Sequence, residues 1–219
     1  MVIYPVQSPL SLKSAALSFK ALPPLSLYIH IPWCVKKCPY CDFNSHEMRA
    51  PAQGESRALV KLHQVDEGGI PAALEKQYVA ALVRDLEMAL PQIWGRKVYT
   101  VFFGGGTPSL LSGAAVEEIL RNVRMLLPLD LTAEITLEAN PGTVEAHKFA
   151  AFREAGVNRL SMGVQSFNDA HLQALGRIHS AAEARRAIEI AQANFDNFNL
   201  DLMYALPNQT LDEALRDVQ

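Results

Sequence analysis

The sequence predicts an α/β fold built on a parallel sheet, and three observations predict it. Five apolar, β-rich runs recur along the 219 residues. Each is followed by Gly, Pro or Asn punctuation, and a helical pattern then leads to the next run. Strand–helix alternation repeated in this way implies parallel strands joined by right-handed crossovers. An open doubly wound sheet and a (β/α) barrel both satisfy it.

The first run is Leu25–Pro32 and the second Val98–Phe103, ending in Gly104, Gly105, Gly106, Thr107 and Pro108. The third is Glu134–Ala139, closed by Asn140, Pro141 and Gly142; the fourth is Arg159–Val164; the fifth is Phe198–Ala205. Their continuous apolar character suits a sheet buried on both faces. Between them, 73–90 sets Leu74, Tyr78, Ala81, Leu82, Leu86 and Leu90 on one stripe, and 114–127 repeats the pattern with Val116, Ile119, Leu120, Val123 and Leu127. Helices are also expected over 144–155, 169–175 and 181–193, with Gly113 and Thr143 near helix entries and Gly156 just past an end.

Residues 1–24 read as an N-terminal extension, 25–219 as one core, and the polar, glycine-containing stretch 45–71 as a loop or insertion within it. The helical run from Leu211 reaches Gln219 without a closing element. The fifth strand would then be an unprotected edge, so the sequence predicts a core truncated after that strand, with a sixth beyond it.

A net charge of −3 provides no basic face for nucleic acid. No apolar run approaches the roughly 20 residues of a membrane helix. Residues 1–24 lack the apolar core of a signal peptide, so a cytoplasmic protein is expected.

Cys34, Cys38 and Cys41 form a C-x₃-C-x₂-C loop directly after the first strand. In a reducing compartment, clustered thiols bind metal or do chemistry. Structural zinc and complete iron–sulfur ligation each ask for four protein ligands, so three thiolates leave a position open. A Cys₃His zinc site using His30 or His46, and three free thiols, remain the alternatives.

The loop, the GGGTPS turn and the parallel repeats resemble the radical S-adenosylmethionine (SAM) superfamily. More narrowly, LSLYIHIPWCVKKCPYCDFNSH, FFGGGTPSLL, EITLEANPGTV, GVNRLSMGVQSF, LGRIHS and NLDLMYALPNQT look like the oxygen-independent coproporphyrinogen III oxidase family. The likeness runs from about Leu22 to the last residue, apart from 45–71. It implies a partial (β/α)₆ TIM-like barrel, with cofactors at the carboxyl ends of the strands. It further implies a [4Fe–4S] cluster on Cys34, Cys38 and Cys41, whose open iron chelates SAM and donates the electron that cleaves it to a 5′-deoxyadenosyl radical.

By position within these blocks, the resemblance implies SAM contacts at Tyr28, Tyr40, Gly105, Gly106, Thr107, Glu138, Gln165, Arg177 and Asp201. Backbone N–H groups of the glycine turn are expected to face the cofactor's amino-acid end. Asp201, between Leu200 and Leu202, is expected to be a buried charge in need of a partner.

Decarboxylating members of the family carry a further cysteine two residues after the third, where this chain has Phe43. The CDFNSH continuation is similar to the haem-chaperone (HemW-type) branch, which keeps the cluster and SAM but delivers haem to acceptor proteins. The reading is therefore a haem chaperone, with oxidative decarboxylation of porphyrinogen propionates as the alternative. Haem or a porphyrinogen, haem-accepting proteins and an electron donor protein are the implied partners. A haem ligand would come from His46, His171 or His179, each otherwise expected at the surface.

Overall fold

The computed structural model describes residues 21–48, 69–93, 95–142 and 146–219. Most of the two segments at 1–24 and 45–71, and the helix entry expected at Thr143, lie outside these residues. Five parallel strands form one sheet: β1 (Leu25–Ile31), β4 (Val98–Gly105), β5 (Leu129–Ala139), β6 (Arg159–Gln165) and β7 (Phe198–Leu202). Two short strands, β2 (Trp33–Cys34) and β3 (His46–Glu47), pair separately. The helices are α1 (Ala72–Ile93), α2 (Gly113–Leu126), α3 (Phe149–Ala155), α4 (Asp169–Ala174), α5 (Ala181–Asn194) and α6 (Leu211–Asp217), with a 3₁₀ turn at Pro108–Leu110.

Strand order settles the choice between the two architectures. The order β1-β4-β5-β6-β7 follows the chain without reversal. A doubly wound sheet reverses at a switch point, whereas right-handed crossovers that always step the same way put every helix on one side. The sheet is therefore wound as the wall of a barrel.

Register sorts the side chains into two faces. Ile29, Phe103, Leu137, Leu160 and Phe198 align across all five strands. This row joins one core with Val79 of α1, Val116 and Leu120 of α2, Phe149 and Phe152 of α3, and Ala184 and Ala187 of α5. Removing each of the large side chains from water contributes about 1.5–3 kcal/mol. The opposite face carries the row Tyr28, Phe102, Thr136 and Arg159, and the row Glu138, Ser161 and Asn199. Most of these side chains remain partly accessible. The expectation of two buried faces is thus corrected: one face is an apolar core and the other is a polar wall.

Local signals set the helix ends. Ser112, not Gly113, caps α2, accepting from Ala115 N at 3.1 Å while its own N–H and hydroxyl donate to Glu75, each at 2.7 Å. Ser180 with Glu183, and Thr210 with Glu213, close reciprocal capping boxes on α5 and α6. Gly156 ends α3 in a left-handed conformation. Strand β5 begins five residues earlier than expected, because Pro128, Asp130 and Thr132 read as turn residues and Leu131 is fully exposed.

Candidate functional site

The carboxyl ends of the strands meet the cysteine loop. The β2–β3 pair clamps the base of this loop, with His46 N donating to Pro32 O at 2.6 Å and Met48 N to Cys34 O at 2.9 Å. Lys37 braces it from within, its Nζ donating to the carbonyls of Phe43 and Ser45 at 3.2 and 3.1 Å. Cys41 N closes a turn onto Cys38 O at 3.0 Å. Beneath, Trp33 packs edge-on to Tyr78, whose hydroxyl donates to His30 O at 2.6 Å. A loop rich in backbone polar groups is thereby held in one shape without a helix or sheet of its own.

All three thiols are free and line one cavity of about 180 Å³. Tyr40, Gly105, Gly106, Thr107, Glu138, Gln165, Arg177 and Asp201 line the same cavity. Eight of the nine side chains or turns expected to contact SAM are therefore brought together with the thiols. Tyr28 is the exception. It lies outside the lining, on the polar wall, stacked on Phe102 and bonded through its hydroxyl to His30 Nδ1 at 3.2 Å.

The glycine turn works differently from the expectation. Gly105 N donates to Glu138 Oε2 at 3.2 Å, Gly106 N to Ile31 O at 2.6 Å and Thr107 N to Trp33 O at 2.7 Å. These three N–H groups are already donated within the protein. A Cβ on Gly105 would stand 2.5 Å from the His30 ring, and one on Gly106 2.5 Å from Trp33 O. The absent side chains let β4 lie directly against β1 and the cysteine loop.

Arg177 enters the cavity from beyond α4. One terminal nitrogen donates to Asn140 Oδ1 and Gly163 O, both at 2.7 Å, and the other to Cys38 Sγ at 3.5 Å. Its Nε is buried without a hydrogen-bond partner. Asp201 is not the buried charge that its apolar neighbours suggest, because alternation along β7 sets it on the polar wall with Asn199 while Leu200 and Leu202 pack against the core. Its carboxylate accepts from Ser161 Oγ at 3.0 Å and Asn199 Nδ2 at 2.8 Å.

Burial pushes the Glu138 carboxyl above its ordinary range, opposed by the Gly105 N–H and reinforced by the Asp201 charge. Burial likewise raises the Cys34 thiol, against hydrogen bonds from Thr107 and Ser45. It raises the Tyr40 phenol as well, against the charge of Arg177. His171 and His179 are buried, which corrects their expected surface placement; His46 is exposed.

The donor set fits a three-thiolate cluster. Both ring nitrogens of His30 are engaged, Nε2 with Asn44 O at 2.8 Å and Nδ1 with Tyr28. Among the described residues, no three His, Cys, Asp or Glu side chains converge as ligands of a single ion. Thiolates that each take a separate iron need no such point. The buried orphan nitrogen of Arg177 gives the same cavity a polar group that awaits an acceptor.

Several lining residues escaped the sequence reading. Asn140, Ser161 and Gly163 line the cavity, yet Asn140 reads as turn punctuation, and Ser161 and Gly163 read as ordinary strand positions. For Ser161 the signal is register, since it pairs with Glu138 on the polar row; Gly163 and Asn140 are tied to the site through Arg177, which donates to both. Among the described residues, no helix is long and apolar enough to cross a membrane.

Comparison with known proteins agrees with this arrangement. The chain is 52% identical over 199 residues to the heme chaperone HemW of Escherichia coli, covering 90% of this chain and 47% of that protein. It is 49% identical over 203 residues to the heme chaperone HemW of Haemophilus influenzae, covering 90% and 48%. The structure of coproporphyrinogen III oxidase (HemN) from Escherichia coli superposes with a TM-score of 0.70 at 31% identity, over 89% of this chain and 40% of that one. The chain thus spans about half the length of the curated relatives it matches. The family model for the radical SAM superfamily, which implies a [4Fe–4S] cluster and SAM, matches residues 28–219, and the chain belongs to that superfamily.

Proposed function

We propose that this chain is the cofactor-binding core of a haem chaperone, which binds haem and passes it to acceptor proteins. The observation that carries the reading is the cavity itself. Three thiols and the polar strand-end side chains share one site, in a chain about half identical to proteins named as heme chaperones. When bound, the cluster and SAM supply one-electron chemistry that side chains cannot.

Cys34, Cys38 and Cys41 hold the cluster. Arg177 and the strand-end groups Glu138, Gln165 and Asp201 bind and orient SAM, with Tyr40 over the opening and the Gly105–Thr107 turn as its floor. An electron donor protein reduces the cluster, and the free thiols suit a reducing cytoplasm. Among the three histidines considered as haem ligands, His46 is exposed beside the cysteine loop while His171 and His179 are buried. Of these three, His46 is the one that offers haem an accessible imidazole.

Oxidation of coproporphyrinogen is the second reading, favoured by the likeness to coproporphyrinogen III oxidase. Phe43 weighs against it. It is exposed at the cavity's edge, where the decarboxylating relatives are expected to present a further thiol.

Anaerobic reconstitution with iron and sulfide tests the site: a brown protein that binds SAM is expected, and a colourless one with stoichiometric zinc defeats it. Incubation with SAM, reductant and coproporphyrinogen III, alongside haem titration, separates the two functions. Stable haem binding without turnover is expected; decarboxylated product would replace the chaperone by the oxidase.

A further inference from the structure

Asp217 is a buried carboxylate in the last turn of α6, and none of the chemistry above uses it. Its position opposes the helix dipole, which disfavours an anion at the C-terminal end. The compensation is local. Oδ2 accepts from Ser166 Oγ at 2.7 Å and from Gln209 Nε2 at 3.4 Å, and Oδ1 accepts from Phe167 N at 2.7 Å.

The groups it holds flank the strained backbone of this protein. Among the described residues, the non-glycine residues with positive φ are Gln165 (68°), Ala205 (57°) and Asn208 (60°). Such conformations cost on the order of 1–3 kcal/mol each, and they persist where neighbours over-determine them. Gln165 precedes the fully buried Ser166. Ala205 and Asn208 lie on the loop before α6, which docks on β6 through Met203 N to Gln165 O at 2.8 Å. That loop is braced again by Gln209, whose Oε1 accepts from Leu206 N at 3.1 Å while its Nε2 reaches Asp217.

Strand alternation sets Gln165 on the same face as Ser161 and Gly163, and its positive φ, at a register irregularity between Met162 and Gln165, fixes how it sits there. The amide lies against Gly163, so that a Cβ there would stand 3.0 Å from Gln165 Nε2 and 3.5 Å from the Arg177 guanidinium. Gln165 thereby joins Arg177 on the cavity wall.

We propose that Asp217 is a positioning residue for the SAM cavity: by pinning Ser166 and Phe167 from α6, it locks the turn that aims Gln165 at the ligand. This rests on the SAM reading of the site. Asp217→Ala removes all three acceptor contacts. Asp217→Asn keeps the shape and the two shorter contacts, since its oxygen can accept from Phe167 N and its amide can donate to Ser166 Oγ; it gives up the longer one from Gln209 Nε2.

The test is a double-mutant cycle on the reconstituted protein, read as the SAM dissociation constant, with amide exchange of residues 164–168 followed by mass spectrometry. Asp217→Ala is expected to weaken SAM about tenfold, the loss of a hydrogen bond to a charged group. It should have no further effect in a Gln165→Ala background, and Asp217→Asn should restore affinity. Faster exchange confined to 164–168 is expected in Asp217→Ala alone. If Asp217→Ala does not fold, Ser166→Ala stands in its place.

Equal weakening in both backgrounds would mean a merely structural role and overturns the proposal, as does unchanged affinity. A wild-type protein that binds no SAM sinks the reading of the site instead. The lock is then judged by exchange alone, and unchanged protection of 164–168 overturns it.

Discussion

Arg177 and Cys38 are 139 residues apart in the chain, yet the guanidinium donates to the thiol sulfur at 3.5 Å. The contact does not depend on the cysteine loop for its geometry, because Asn140 and Gly163 anchor the other terminal nitrogen. A cation held beside a ligand sulfur stabilises the more negative, reduced state of an iron–sulfur cluster, since hydrogen bonds to the sulfurs and local charge set the potential. Arg177→Gln is expected to lower the midpoint potential of the reconstituted cluster, and Arg177→Lys to lower it less. A redox titration followed by electron paramagnetic resonance, without SAM, checks this; an unchanged midpoint would show that the contact has no electronic consequence.

His179 sets a pH dependence of stability. Its Nε2 bonds Val164 O at 3.1 Å and the ring is buried. Burial first, and then the Arg177 charge, lower its pKa to about 4, against the Val164 carbonyl, Glu183 and Asp169. In the unfolded chain its pKa is about 6.5. Between these values the unfolded state binds more protons, so stability falls as pH drops from about 6.5 to 4. His179→Gln is expected to flatten the fall in urea midpoint between pH 7 and pH 5. An identical slope in the variant would place the titrating group elsewhere.

Much of this architecture was legible in the sequence, for a physical reason. Alternating apolar runs and amphipathic stripes are local signals, and α1, α2 and α5 sit within a few residues of their stripes. The cysteine loop was legible because three thiols at short spacing have few uses. What the sequence left open was which partner each polar group takes. The residues LDL suggest that Asp201 is buried, but the register sets it on the polar wall, where Ser161 and Asn199 hold its carboxylate. The glycine turn suggests ligand-facing N–H groups, yet Ile31 and Trp33 carbonyls, distant in sequence, receive them. Asp217 is hard to read from the sequence, since its two shortest hydrogen bonds come from residues about 50 positions away.

Gly106 is the tightest point between β4 and the cysteine loop. A methyl group there would meet Trp33 O at 2.5 Å and Ile31 O at 2.9 Å, both backbone atoms with little room to yield. Gly106→Ala must therefore push the loop off the strand end and weaken the two adjacent hydrogen bonds. The expected cost is about 1–3 kcal/mol in chemical unfolding, as for other overpacked sites. Because Cys34 follows Trp33 directly, iron and sulfide content after reconstitution should also fall. Full cluster loading together with unchanged stability would refute the close-approach account of this glycine.

Ser161 and Asn199 hold the Asp201 carboxylate from two sides, at 3.0 and 2.8 Å, and Asn199 Nδ2 also donates to Ser161 Oγ at 3.0 Å. Asn199 is tied in turn to Arg159, whose other terminal nitrogen reaches Thr136. The carboxylate thus arrives at the cavity already oriented by the polar wall, with its remaining lone pairs available to hydroxyl groups of a ligand. Ser161→Ala leaves one oxygen without its donor, and Asn199→Ala removes the other donor and releases Arg159. Each is expected to weaken SAM binding by about fivefold to tenfold, the net worth of an ordinary hydrogen bond and less than that of one to a fully buried charge. The double variant should lose less than the product of the two, because the donors share one acceptor and bond each other. Calorimetric titration of SAM into the reconstituted variants decides it: additive losses would mean that the two residues act on the ligand separately and not through Asp201.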